Sequence, residues 1–327
     1  MKVTVLFGSL KSSLIVLGVL ASISSTALAS YSDVVFFGDS LTDTGNLYAA
    51  TGVPVSPPYN NGRFSNGPLW SEILASQLGA TASAAPSLLG GNNYAWAGAT
   101  VMDYGRPQPE IPQQLSQYLA TTKGSADASA LYVILGGAND INDAGKNPTT
   151  AAANIVSAAT AINTMVTTLY ASGARNILVG NLPAIGLTPL AIANGAAAGA
   201  TQLTKLFNAT LESLLAATRK ADVNLDLDTF DLFSLLNNAV ATPSVYGFSN
   251  VTDACKTGDL GAPGSVCDTP DSYLFWDSFH PSAAGHRLMA QTAFRAIPEP
   301  STLLLFAAAL IALSCLSMVK HGRKGRQ

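Results

Sequence analysis

Short apolar runs without alternation restrict this chain more than any other feature. Val34-Val35-Phe36-Phe37, Leu131-Tyr132-Val133-Ile134-Leu135 and Ile177-Leu178-Val179 are each too short for a helix and apolar throughout, as strands buried on both faces are. Val223-Asn224-Leu225-Asp226-Leu227 alternates, which suits an edge strand with one wetter face. Between the runs, Ile155, Ile162, Met165, Val166 and Leu169 recur at helical spacing, with Gly173 as the stop; Leu203, Leu206, Phe207, Leu211 and Leu214 do the same later. The Ala/Gly-rich stretch from Ala191 to Ala200 reads as a flexible connection into that second helix. Strand–helix alternation predicts a parallel α/β sheet covered on both sides. There is no internal repeat.

The two ends of the chain are of a different kind. Of 327 residues, 48% are hydrophobic and only 11% charged, and the termini inflate the first figure. Lys2 and Lys11 precede the apolar stretch Leu14–Leu20, and Ala27-Leu28-Ala29 has the small-residue form of a cleavage site. This predicts a secretory signal peptide over 1–29, removed by signal peptidase. Residues Thr302 to Val319 carry no charge, which is long enough to span a bilayer, and Lys320, Arg323, Lys324 and Arg326 beyond them would stay cytoplasmic. With Pro298-Glu299-Pro300-Ser301 in front, the segment 298–327 resembles the PEP-CTERM sorting signal of Gram-negative bacteria. That resemblance implies export, transient anchoring in the inner membrane, processing by an exosortase, and delivery to the cell surface or extracellular matrix. An ordinary tail anchor would share the span and the basic end.

The remaining body, 30–297, has 11 basic against 19 acidic residues, a formal net charge of −8. Such a surface does not favour nucleic acid, whose binding rests on cationic contacts to phosphate. The body is long enough for one sizeable core. Its only cysteines, Cys255 and Cys267, bracket a Gly/Asp-rich loop. In an oxidising compartment they can form a disulfide contributing about 3 kcal/mol. Two cysteines with no histidine at ligand spacing make no zinc site, and no cofactor or metal is expected.

Ligands of open α/β sheets bind beyond the carboxyl ends of the strands. Gly38-Asp39-Ser40-Leu41 follows the first run and Gly136-Gly137-Ala138-Asn139-Asp140 follows the Leu131–Leu135 run; between them lies Asn93-Tyr94-Ala95-Trp96-Ala97-Gly98. Acyl transfer from an ester needs a nucleophile, a base and donors for the developing oxyanion. Ser40 can attack; its own N–H, the Gly98 N–H and the Asn139 side-chain amide are candidate donors. The base must be a histidine, and the body holds only His280 and His286. Asp277 stands three residues before His280, within reach of the imidazole in a turn. Each element alone is weak: a serine after a glycine is usually a turn residue, and an Asn-Asp pair usually caps a loop. Together, in this order and at element boundaries, they point to ester hydrolysis.

At these residues the sequence resembles the GDSL, or SGNH, family of lipases and esterases. Phe37-Gly38-Asp39-Ser40-Leu41-Thr42-Asp43-Thr44-Gly45-Asn46 matches the family's first block; Gly98, Gly137-Ala138-Asn139-Asp140 and Asp277 to His280 represent the others. Gly62-Arg63-Phe64-Ser65-Asn66-Gly67 and Tyr246-Gly247-Phe248 add to the likeness, which runs from about residue 33 to 295. It implies a three-layer α/β/α, flavodoxin-like sandwich with a five-stranded parallel sheet. It also implies catalysis by Ser40, Asp277 and His280, with an oxyanion hole of Ser40, Gly98 and Asn139. Relatives often have Gly-Gly where this chain has Ala97-Gly98, which puts the loop conformation there in question. The alternative G-x-S-x-G elbow fits poorly, because Thr42 occupies the last glycine position.

Asp39 is expected to shape the nucleophile's turn, Asp140 to hold the Asn139 loop, His286 to pack or lie on a helix surface, and Trp70 and Trp96 to be core. The expected substrate is a lipid or small acyl ester, since the first block resembles the lecithinase-like branch, and Val53-Pro54-Val55-Ser56-Pro57-Pro58-Tyr59 could wall an acyl pocket. Two other readings share these residues: a polysaccharide acetylesterase of the same fold, and a non-catalytic surface or matrix binding protein on a hydrolase scaffold.

Overall fold

A computed structural model describes residues 31–298. The expected signal segment and the expected tail span lie outside the described residues. Among those described, no helix is long and apolar enough to cross a membrane.

The first apolar run is β1 (Val34–Gly38). It leads through α1 (Asn46–Thr51), α2 (Trp70–Gln77) and α3 (Ile111–Thr121) to β2 (Leu131–Leu135). Then come α4 (Ala138–Ala144), α5 (Pro148–Ala171), β3 (Asn176–Gly180), α6 (Pro189–Ala193), α7 (Ala197–Ala221) and β4 (Asp226–Phe230). After α8 (Leu232–Ala241), β5 (Asn250–Ala254) and β6 (Tyr273–Phe275) form a small parallel sheet, and α9 (Ala283–Ala296) follows.

The main sheet has the order β1-β2-β3-β4, parallel throughout. Its successive side chains divide between two cores, as a period of two requires. Val35, Phe37, Tyr132, Ile134, Ile177 and Val179 pack under α3, α5 and α7. Val34, Phe36, Leu131, Val133, Leu178 and Phe230 pack under α2 and α9. Phe36 and Phe37 are fully buried on opposite faces, each contributing about 1.5–3 kcal/mol. This is the expected three-layer α/β/α arrangement.

Three expectations need correction. The sheet has four strands, not five. The fifth position, outside β1, is held by residues 92–96, which bond to β1 in parallel fashion: Phe36 N–H donates to Asn92 O (3.0 Å), Tyr94 N–H to Phe36 O (2.8 Å) and Trp96 N–H to Gly38 O (3.1 Å). Its first residues, Asn92-Asn93, follow Gly90-Gly91, a composition poor in strand formers, so no regular ladder extends beyond this row. The expected strand at Val223 starts three residues later, at Asp226. Leu225 and Leu227 satisfy the alternation by burial, while Val223 is 87% exposed in the preceding turn. Finally, the Ala191–Ala200 stretch is mostly helical, ending α6 and starting α7. Alanine is the best helix former, and the Thr188 hydroxyl accepts from Ala191 N–H to cap α6.

The helical periodicities hold. Ile155, Ile162, Met165, Val166 and Leu169 are buried on α5, and Gly173 follows with φ +118. On α7, Phe207 and Leu211 are buried, with Leu203 and Leu206 packed at the margin; Leu214 is only half-buried, and the buried residue of that turn is Leu215.

Candidate active site

The end of β1 is built for a tight turn. A Cβ on Gly38 would clash with Leu135 O, so only glycine lets β1 and β2 run this closely to their ends. The buried Gln114 side chain of α3 accepts from Gly38 N–H (2.9 Å) and donates to Gly38 O (2.8 Å), completing the strand's pairing. Asp39 then shapes the turn as expected: its carbonyl accepts from Thr42 and Asp43 N–H, and its Oδ1 from Leu41 N–H. Ser40 sits at the crest, 5% exposed. Burial pushes the Asp39 carboxyl up to about 6, and its Oδ2 has no partner among the described residues.

Asp277 and His280 arrive together after β6. The Asp277 Oδ1 accepts from Phe279 N–H (2.8 Å) and His280 N–H (2.7 Å), which closes the turn over the carboxylate. His280 Nδ1 lies 2.8 Å from Asp277 Oδ2 and 2.9 Å from Oδ1, and His280 Nε2 lies 2.8 Å from Ser40 Oγ across 240 residues of sequence. Burial alone would raise the Asp277 carboxyl, but the His280 ring and the N–H donors outweigh it and hold it below the usual carboxylate range. The ionised carboxylate assigns the Nδ1–H tautomer, leaving Nε2 to accept the serine proton. Serine, imidazole and carboxylate form one continuous hydrogen-bonded line.

Asn139 stands on the first turn of α4, at the head of β2 and therefore beside β1, and its amide donates to Ala99 O (2.8 Å). Asp140 does more than hold its own loop: its carboxylate accepts from Val101 and Met102 N–H (2.8 and 2.9 Å), fastening the Gly98 loop to α4. Burial pushes it up to about 6. Gly98 itself has φ +80, and a Cβ there would stand 2.7 Å from Gln108 Nε2. The positive φ of the turn and the side chain of Gln108 packed over it call for glycine here. Arg106 adds a further tie, donating to Gly98 O (2.8 Å) while paired with Asp143 of α4. Ala97, where relatives carry glycine, is buried, and its N–H donates to Asp43 Oδ2 (2.8 Å).

Several supporting residues carry no signal in the chemistry sought from sequence. Asp43 accepts four backbone N–H groups, three of them from Gly45, Asn46 and Leu47 at the start of α1 and the fourth from Ala97. Asn46 donates to Asn93 O and Ala95 O. The tail of the first block therefore holds the second. In the Gly62–Gly67 motif, Phe64 packs on the His280 ring (centroids 4.9 Å apart), Ser65 donates to Pro281 O, and Asn66 accepts from Ala283 N–H. The motif seats His280 at the entry to α9. Tyr59 donates to Asp277 Oδ2 (2.8 Å). Through Tyr59, the end of the Val53–Tyr59 segment backs Asp277.

An apolar cleft adjoins the histidine turn at Phe279 and Pro281. Leu41, Ala138 and Phe279 line it, each the chain neighbour of Ser40, Asn139 or His280, and Ile185, Leu236 and Leu288 form its far wall. His286 is fully buried, as a packing residue and not on the helix surface; burial pushes it down to about 3. Trp70 is core; Trp96 is partly buried beside the core. Cys255 and Cys267 are disulfide-bonded. Among the described residues no group of three or more His, Cys, Asp or Glu side chains could hold a metal ion.

The layered α/β/α sheet and the Ser40–His280–Asp277 line have the arrangement that serine hydrolases use. The family model described as GDSL-like lipase/acylhydrolase matches residues 34–293, and the chain belongs to that family of carboxylic ester hydrolases. It is 31% identical to a phosphatidylcholine-sterol acyltransferase of Aeromonas hydrophila, over 80% of this chain and 77% of that one. It is 27% identical to a GDSL esterase/lipase of Arabidopsis thaliana, over 79% and 86%. A Pseudomonas putida protein from the trpE-trpG intergenic region is 30% identical over 84% of this chain, which spans half of that relative's length.

Proposed function

We propose that this chain is an exported hydrolase of acyl esters that works through an acyl-Ser40 intermediate. The single observation that carries the reading is the 2.8 Å approach of His280 Nε2 to Ser40 Oγ, with Asp277 bonded to the other ring nitrogen. His280 takes the hydroxyl proton as Ser40 Oγ attacks the acyl carbonyl, and Asp277 stabilises the imidazolium. Ser40 N–H, Gly98 N–H and the Asn139 amide receive the oxyanion. The imidazolium then protonates the departing alcohol. Water, deprotonated by the same ring, attacks the acyl-enzyme, and collapse of the second tetrahedral adduct returns the proton to Ser40.

The substrate we infer is a lipid or other ester with an apolar acyl group. What supports this is an apolar cleft lined in part by Leu41, Ala138 and Phe279, the chain neighbours of Ser40, Asn139 and His280. The Aeromonas relative is a phosphatidylcholine-sterol acyltransferase, which agrees with this reading. Export is inferred from the N-terminal segment and agrees with the disulfide, which persists in oxidising compartments. Exosortase processing and surface delivery are inferred from Pro298-Glu299-Pro300 and the basic end.

The test is a chain-length series of nitrophenyl esters run beside phosphatidylcholine and acetylated xylan, with Ser40→Ala as control. Ser40→Ala should nearly abolish turnover, and rates should rise from acetate towards medium-chain esters. Full activity in Ser40→Ala would reject the mechanism; rates confined to acetylated xylan would reject the substrate.

A further inference from the structure

Asp277 has more than one neighbour that can control it. Its Oδ1 is saturated by Phe279 N–H, His280 N–H and the imidazole. Its Oδ2 receives the imidazole and a second donor, the Tyr59 hydroxyl, at 2.8 Å. Tyr59 is 2% exposed and stacks edge-on against Phe64 and Trp276. Its oxygen also accepts from Gly261 N–H (3.1 Å), inside the loop closed by Cys255 and Cys267. The same loop supplies Lys256, fully buried, with its Nζ 5.2 Å from the Tyr59 ring centre and bonded to Asp259 O.

We propose that Tyr59 is a positioning residue for Asp277, with its hydroxyl aimed by the disulfide-closed loop. This rests on the Ser40–His280–Asp277 reading above. The hydroxyl has one hydrogen, and accepting from Gly261 N–H directs that hydrogen at the carboxylate. Donation to Oδ2 fixes the rotation of the carboxylate and draws off part of its charge, so it sets how firmly Asp277 holds the imidazolium. The disulfide loop thereby acts on the reaction centre through Gly261 and Tyr59. The other titratable groups around the pair are Asp39 and His286 beside His280, and Lys256 beside Asp277. All three stay in place when the Tyr59 hydroxyl is removed.

Tyr59→Phe keeps every ring contact and deletes only the donor. Loss of the bond that fixes the carboxylate's rotation should outweigh its gain in charge and lower kcat about ten-fold with KM little changed. The acid limb of kcat/KM should also move up by about half a pH unit, because a carboxylate short of one donor holds the imidazolium more tightly. 3-Fluorotyrosine placed at position 59 alone is a stronger donor and should move the limb down. An unmoved limb in a folded Tyr59→Phe protein, whether or not the rate falls, overturns the proposal, since a packing role would not touch the pH profile. Should Tyr59→Phe not fold, a downward shift with 3-fluorotyrosine supports the proposal and an unmoved limb overturns it. Turnover surviving in Ser40→Ala would instead remove the hydrolase reading beneath it.

Discussion

Asn139 combines two tasks in one amide group. One hydrogen holds Ala99 O at 2.8 Å, and the proposed mechanism uses the other on the oxyanion. Asn139→Ala should therefore lower kcat by roughly 100- to 1000-fold, about 2.7–4 kcal/mol, with a small change in KM. Steady-state kinetics on a nitrophenyl ester would check this; a fall confined to KM would contradict the role. Ser40, Asp277 and His280, which the structure joins by hydrogen bonds, were legible in the sequence because each sits in a short motif at the end of an element. Tyr59 and Asp43 were not. Tyr59 meets Asp277 across 218 residues, from a Pro-rich run that resembles a surface loop. Asp43 looks like a turn residue until its fourth bond, to Ala97 N–H, is seen. Long-range hydrogen bonds of this kind leave no local pattern.

The elements show where pattern reading succeeds and where it slips. Buried strands and amphipathic helices declared themselves, because burial on fixed faces dictates apolar spacing. The row 92–96 did not, because Gly90-Gly91-Asn92-Asn93 is poor in strand formers although its backbone bonds to β1. The junction of α2 and α9 carries a consequence of the same kind. His286 Nδ1 accepts from Trp70 N–H (3.3 Å), serving one of the unpaired donors at the start of α2, and does so only while unprotonated. Its folded value, pushed down to about 3 by burial, lies below the unfolded value near 6.5. The unfolded chain therefore binds the proton first, and this contribution to stability, complete above pH 6.5, is lost as pH falls towards 3 at about 1.4 kcal/mol per unit. Asp39 and Asp140, pushed up to about 6, act in the opposite sense between pH 6 and 4. The comparison must therefore be between proteins. The stability advantage of the parent over His286→Gln, measured by urea unfolding, should shrink by about 2–3 kcal/mol from pH 7 to 4.5. A constant difference would contradict the buried neutral imidazole.

At the scale of the molecule, the four motif blocks are held by cross-links that run between blocks. Asp43 ties the first block to the second, Asp140 the second to the third, and Ser65 and Asn66 seat the turn that carries His280. Ester hydrolysis depends on that assembly delivering a reactive hydroxyl, so chemical labelling of the intact protein is the most direct test. A fluorophosphonate probe should form a single covalent adduct on the peptide containing Ser40, and none on Ser40→Ala. An unlabelled folded protein, or an adduct on any other serine, would contradict the account.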